Sequence, residues 1–411
     1  MIDTGAMDAP KSFRSRTITL GLAALALATL AGGSLGGCSG SSEPWVEPAS
    51  WQSLIEPGPY EVGEWSTLLY DGSRPTAANG EYPGDPGRTL ATHIYYPTEP
   101  GARPVGTESA AKAPLSPSPD GPFPVLGYAH GFTSSNQAAR GLISHLVSHG
   151  YVVIAPNFPL SHGGAPGGPT VTDMHNQPGD LAFAIETIGA AEEIPLRHLA
   201  GAMDMNAVGI VGLSLGGATV MIGTYHPTFH IPFAKAAVAH APATCFFGEA
   251  FYDRLIPTLI ISGDADELVP FRTAPQRSFE LAERDVTLMR QVGGTHVGIL
   301  GIGAADGPNP DVAIGCAAVS DDVPTEDDGT FDLVSEALQG DLPGTITDPD
   351  ACTEGFCDNG FEHSMSGARQ FELTMIATLA HFEAELRGDA AARAFLTRSI
   401  GAEEDVEISV K

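Results

Sequence analysis

Basic residues are scarce in this chain: 20 lysines and arginines stand against 50 aspartates and glutamates among 411 residues, a formal net charge of -30. A surface so poor in positive charge repels the phosphates of nucleic acids and disfavours anionic substrates, so nucleic-acid partners are not expected. Cysteine is scarce too, with five residues and no Cys-x-x-Cys spacing, which argues against a structural zinc site; no metal or cofactor is expected. No apolar run is long enough to be a comfortable membrane span, and no internal repeat is visible. What remains is 43% hydrophobic, enough for one globular core of roughly 250 to 300 residues with appendages.

The longest apolar stretch, "TITLGLAALALATLA", follows Lys11, Arg14 and Arg16 and ends in "LGGC" at Cys38. A positive segment, a short apolar segment and small residues before a cysteine resemble a bacterial lipoprotein signal. That resemblance implies removal of residues 1–37 and a lipid on Cys38. An ordinary secretory signal with a chance cysteine is the alternative. Ser39, where an aspartate would signal inner-membrane retention, points to the outer membrane. The expected location is therefore the bacterial cell envelope, lipid-anchored, or outside the cell. Residues 38–58, rich in Ser, Pro and Gly, read as a tether. Export places Cys245, Cys316, Cys352 and Cys357 in an oxidising compartment, where an even set pairs. The short "CTEGFC" loop makes Cys352 to Cys357 the easiest closure, which leaves Cys245 for Cys316.

From residue 59 to about 400 the chain alternates. Strand-like runs include "RTLATHIYYP", "FPVLGYAHG", "YVVIAPN", "AVGIVG", "AKAAVAHAP", "PTLIISG" and "VTLMRQV"; helix-like runs include "SNQAARGLISHLVSHG" and "PGDLAFAIETIGAAEEI". Alternation of this kind predicts βαβ crossovers and a mostly parallel sheet flanked by helices, with ligands collecting at the carboxyl ends of its strands.

One such end carries "GIVGLSLGGATV", in which Ser214 lies between Gly212 and Gly216. The pattern predicts a sharp strand-to-helix turn that exposes a nucleophilic hydroxyl. A glycine-rich turn with an incidental serine is the plain alternative. A nucleophilic serine needs a base, and the base needs a carboxylate to fix its tautomer. "PTLIISGDADELVPF" offers Asp266 after a buried strand, with Asp264 as runner-up. "VTLMRQVGGTHVGI" offers His296 after the next strand and a glycine turn, with His363 as competitor.

With serine, aspartate and histidine in that order, each at a strand end, the chain resembles an α/β-hydrolase of the dienelactone hydrolase group, related to platelet-activating-factor acetylhydrolases, chlorophyllases and cutinases. The likeness also rests on "GPYEVG", "DGSR", "PVLGYAHGF" and "NQPGDLAFAIETI". It implies an α/β-hydrolase fold and ester or lactone cleavage without a cofactor. The N–H of Leu215 is expected to be one oxyanion donor; the resemblance supplies the other, Phe132, with Gly131 permitting close approach and His130 as support. Residues 301–365 read as an acidic insertion before the last helix and a candidate lid, because 15 acids and no base fall between residues 301 and 368. Calcium binding by "DPDACTEGFCDNG" does not fit EF-hand spacing. A non-catalytic scaffold and a prolyl-oligopeptidase-like peptidase are the rival functions, the latter lacking its propeller.

Overall fold

Runs of Val, Ile, Leu and Ala form the middle of a nine-stranded sheet in the computed structural model, which describes residues 45–104, 114–192, 196–304, 307–319, 330–357, 359–361 and 365–411. In chain order the strands are β1 (Glu61–Asp71), β2 (Arg88–Thr98), β3 (Phe123–Ala129), β4 (Val152–Pro156), β5 (Met203–Leu213), β6 (Ala234–His240), β7 (Thr258–Gly263), β8 (Val286–Gln291) and β9 (Val406–Val410). Their order across the sheet is β1-β2-β4-β3-β5-β6-β7-β8-β9. The stretch from β4 to β8 is parallel, and the pairs β1–β2, β2–β4 and β8–β9 are antiparallel. Every residue of β3, β4 and β7 is buried, as expected of parallel strands covered on both faces.

Successive side chains of these strands enter different cores. Val125, Ile154 and Ile210 pack with Leu181, Ile185 and Val220 from the helices Gln177–Gly189 and Leu215–Tyr225. Leu126, Val153 and Val211 pack with Leu142, Leu146, Leu373 and Ile376 from the helices Arg140–Ser148 and Gly367–Leu386. This period-2 partition makes a three-layer α/β molecule. The chain has the α/β-hydrolase fold expected of it.

A buried ion cluster ties the sheet to one helical layer. Arg88 is wholly buried and pairs with Asp173 and Asp180, each at 2.6 Å, while Arg74 reaches Asp71 and Asp180 at 2.8 Å. The separated "DGSR" and "QPGD" segments therefore meet in one salt-bridge network. Removing one member would strand a buried charge, which is far more costly than losing an exposed pair.

Two boundaries differ from expectation. The compact body is Val46–Lys411, so residues 46–58 of the expected 38–58 tether belong to it. Trp51 donates to Glu372 at 2.8 Å, Leu54 is buried, and the Ala49 N–H donates to the Ala391 carbonyl at 2.9 Å. Apolar Trp51 and Leu54 give this Pro- and Ser-rich segment a reason to dock. At the other end, "VEISV" extends the fold past residue 400 by pairing with β8. The expected signal, residues 1–37, and the expected lipid site, Cys38, lie outside the described residues.

Candidate active site

Ser214 joins β5 to the helix Leu215–Tyr225 with φ 61° and ψ -121°, a backbone conformation that L-residues rarely adopt. Close backbone crossing makes that turn workable only with glycine on either side. A Cβ on Gly212 would lie 2.4 Å from the Gly216 carbonyl oxygen, and one on Gly216 would lie 2.1 Å from the Ala129 carbonyl oxygen. The turn is locked by the Ser214 N–H donating to the His240 carbonyl at 2.9 Å.

The loop leaving β3 passes directly over the serine. A Cβ on Gly131 would stand 3.4 Å from the Ser214 Cβ and 3.9 Å from its Oγ. His130, wholly buried, steadies this loop: its Nδ1 is 2.8 Å from the Gly131 carbonyl and its Nε2 accepts the Phe158 N–H at 3.0 Å. Since one partner can only accept and the other only donate, the proton sits on Nδ1. Burial pushes the His130 pKa down to about 4, so the ring is a neutral bridge and not a base in waiting. Leu215 opens its helix, so its N–H has no intrahelical acceptor. The Phe132 N–H likewise has no acceptor among the described residues. Phe132, Ser214 and Leu215 line one cavity of about 80 Å³.

Asp266 lies beyond β7, wholly enclosed. Its Oδ1 accepts the N–H groups of Leu268 at 2.8 Å and Val269 at 2.7 Å, and its Oδ2 lies 2.8 Å from the Nδ1 of His296. The carboxylate can only accept here, so Nδ1 carries the proton and Nε2 is left with a lone pair. Burial alone would lower the His296 pKa, but the Asp266 charge and hydrogen bond, with the charge of Asp311, raise it above its ordinary value. The runner-up Asp264 is engaged elsewhere, accepting from Arg290 Nε at 2.9 Å and from the Gly293 N–H at 2.6 Å. His363 lies outside the described residues.

The expected disulfides are both corrected. Cys245 bonds Cys352 and Cys316 bonds Cys357, in place of Cys352–Cys357 and Cys245–Cys316. Backbone docking explains the first: Phe247 and Thr347 form an antiparallel bridge, and the Asp348 N–H donates to the Phe246 carbonyl at 2.7 Å. That register carries Cys352 to Cys245. The second closes over the acid loop, where the Cys357 N–H donates to the Glu267 carbonyl at 2.7 Å.

Three residues with no place in the expected site also converge here. Glu267, wholly buried, accepts the N–H groups of Asn359, Gly360 and Phe361. Asp311, also wholly buried, accepts those of Glu267 at 3.1 Å, His296 at 2.8 Å and Val297 at 2.9 Å. Burial first, and then the Asp266 charge, push the Asp311 pKa up to about 6. Asn309 accepts the Asp311 N–H and donates to the Ala265 carbonyl. The insertion also contributes Val334 and Phe356 to the serine's cavity, which shares Ala243, Phe246, Val269 and Phe356 with a neighbouring cavity of about 490 Å³. Among the described residues no group of His, Cys, Asp and Glu is arranged to hold a metal ion.

Residues 106–220 match the model of the chlorophyllase family. The match takes in Gly131, Phe132 and the whole elbow around Ser214, and it ends before Asp266 and His296. No curated protein matches the chain. The chain thus has the α/β-hydrolase fold and, over residues 106–220, is similar to the chlorophyllases, a family of ester hydrolases within that superfamily.

Proposed function

We propose that the protein is a serine carboxylic-ester hydrolase acting through an acyl-enzyme on neutral, short-chain esters or lactones. The observation that carries this reading is the Asp266–His296 hydrogen bond of 2.8 Å, which leaves Nε2 basic, in a fold whose elbow exposes Ser214. Ser214 Oγ attacks the carbonyl carbon while His296 Nε2 takes its proton. The tetrahedral oxyanion accepts from the N–H groups of Phe132 and Leu215, each worth a few kcal/mol in the transition state. Collapse expels the alcohol, which receives the proton from His296. Water then repeats the sequence on the acyl-enzyme and regenerates the serine. Apolar Phe132, Leu215, Val334 and Phe356 line the cavity beside Ser214, which supports an uncharged acyl group.

Labelling by a fluorophosphonate and turnover of p-nitrophenyl acetate test this reading together. Ser214→Ala should abolish the label and lower kcat by roughly 10⁴- to 10⁶-fold at unchanged thermal stability. Near-normal turnover in that variant would sink the proposal. We propose in addition that Cys38 carries the lipid anchor, supported by the "LGGC" sequence after a short apolar segment. Cys38→Ser should move the protein from the membrane fraction to the soluble one or leave its precursor uncut; unchanged membrane retention with no lipid on Cys38 speaks against the anchor.

A further inference from the structure

We infer that Asp311, supplied by the acidic insertion, is a positioning residue that holds His296 and the Asp266 loop in register and stabilises the imidazolium formed during ester cleavage. This rests on the hydrolase reading above.

One carboxylate receives backbone N–H groups from both catalytic loops. Oδ2 takes those of Glu267 and His296, and Oδ1 takes that of Val297. Glu267 immediately follows Asp266, so Asp311 fixes the acid's neighbour and the base's own backbone with a single rigid group. Three N–H donors on one buried carboxylate are charge-assisted bonds in a dry setting, which makes the spacing between the two loops hard to change. Its own position is set by Asn309, which accepts the Asp311 N–H at 2.9 Å and reaches the Ala265 carbonyl at 2.8 Å. Further along the chain, the Cys316–Cys357 bond anchors the same segment to the loop whose backbone binds Glu267.

The electrostatic consequence follows from the same placement. The charged groups facing His296 are Asp266 and Asp311, and those facing Asp311 are Asp266 and His296. When Ser214 loses its proton, His296 becomes cationic with Asp266 on its ring and Asp311 on its backbone N–H, and the charge of the second carboxylate lowers the energy of that state. A carboxylate can do this and accept three N–H donors; an asparagine has one acceptor oxygen and an NH₂ that opposes an N–H. Asp311 lines neither cavity beside Ser214, so it should not alter substrate binding.

The test is Asp311→Asn, read by kcat, KM and the pH dependence of kcat/KM on p-nitrophenyl acetate. The expected result is a kcat lower by roughly 10- to 100-fold with KM little changed. The acidic limb should move to lower pH, because removing a negative charge favours the neutral imidazole. A variant with an unmoved limb and a wild-type kcat overturns the inference, as does a loss confined to KM. Should Asp311→Asn fail to fold, Asp311→Glu keeps the charge but displaces the oxygens; it should lower kcat with the limb in place, and a wild-type kcat there overturns the positioning role. The His296 ring can also be titrated by NMR in the Ser214→Ala protein with and without Asp311→Asn. That measurement does not depend on turnover: absence of Ser214-dependent hydrolysis counts against the hydrolase reading, and an unshifted ring titration counts against Asp311.

Discussion

At the scale of single residues, the turn at Ser214 depends on atoms that are missing. Gly216 sits where a Cβ would press to 2.1 Å on the Ala129 carbonyl oxygen, and that oxygen belongs to backbone that cannot swing aside. Ala129 ends β3, and the next residues are His130, Gly131 and Phe132. Displacing Ala129 therefore displaces the proposed oxyanion donor as well as the proposed nucleophile. Gly216→Ala is expected to cost about 1–3 kcal/mol of stability by overpacking. It should also lower kcat more than its stability loss alone would explain, measured at a temperature where the variant is fully folded. A wild-type melting temperature together with wild-type kcat would show that the crossing is looser than these distances indicate. His130 illustrates the opposite case, a residue present for its two hydrogen bonds, whose depressed pKa keeps it out of the chemistry.

Among the elements, those with a strong internal pattern are legible in the sequence itself. "TLIIS" and "AVGIV" are nearly all apolar because parallel strands in mid-sheet are covered twice, and they form β7 and the buried part of β5. Ser214, Asp266 and His296 are legible for the same reason, since each follows a strand whose end is marked by glycine. Other features depend on contacts that leave no local trace. β9 is a short, largely exposed strand whose pairing with β8 exists only in the folded sheet. Asp311 is one aspartate in a long acidic stretch, and nothing in "NPD" distinguishes it from its neighbours until three N–H groups point at it. For the disulfides, loop length misleads because it is a weak guide: closure entropy grows by only about 0.6 kcal/mol per doubling of the loop. Docking of the Thr347 segment against Phe247 through a single antiparallel bridge decides the pairing instead, across 107 residues of sequence. "DGSR" and "QPGD" stand far apart in the sequence, and nothing in either one reveals the shared buried cluster around Arg88 that joins them.

For the molecule as a whole, the excess of 50 acids over 20 bases is not spread evenly about the proposed active site. Asp332, Asp350 and Glu354, all from the insertion, line the cavity of about 490 Å³ that adjoins the serine's own, together with apolar Phe246, Leu268 and Phe356. A mouth of this kind has an apolar floor and a negative rim with no positive residue among its lining groups. Low-dielectric walls focus the field of such a rim, so an anionic ester meets repulsion before it reaches Ser214, while a neutral one of equal size does not. Screening acts over a Debye length of about 8 Å in physiological salt, so the effect should be largest at low ionic strength. We therefore predict that neutral acetyl and butyryl esters have a higher kcat/KM than succinyl esters of matched size, and that the gap narrows as salt is added. Replacing Asp332, Asp350 and Glu354 together by their amides should narrow it in the same direction without added salt and leave the rate for the neutral ester little changed. Equal rates for the two ester classes at low salt would place the substrate's path away from this rim, whatever the charge of the chain.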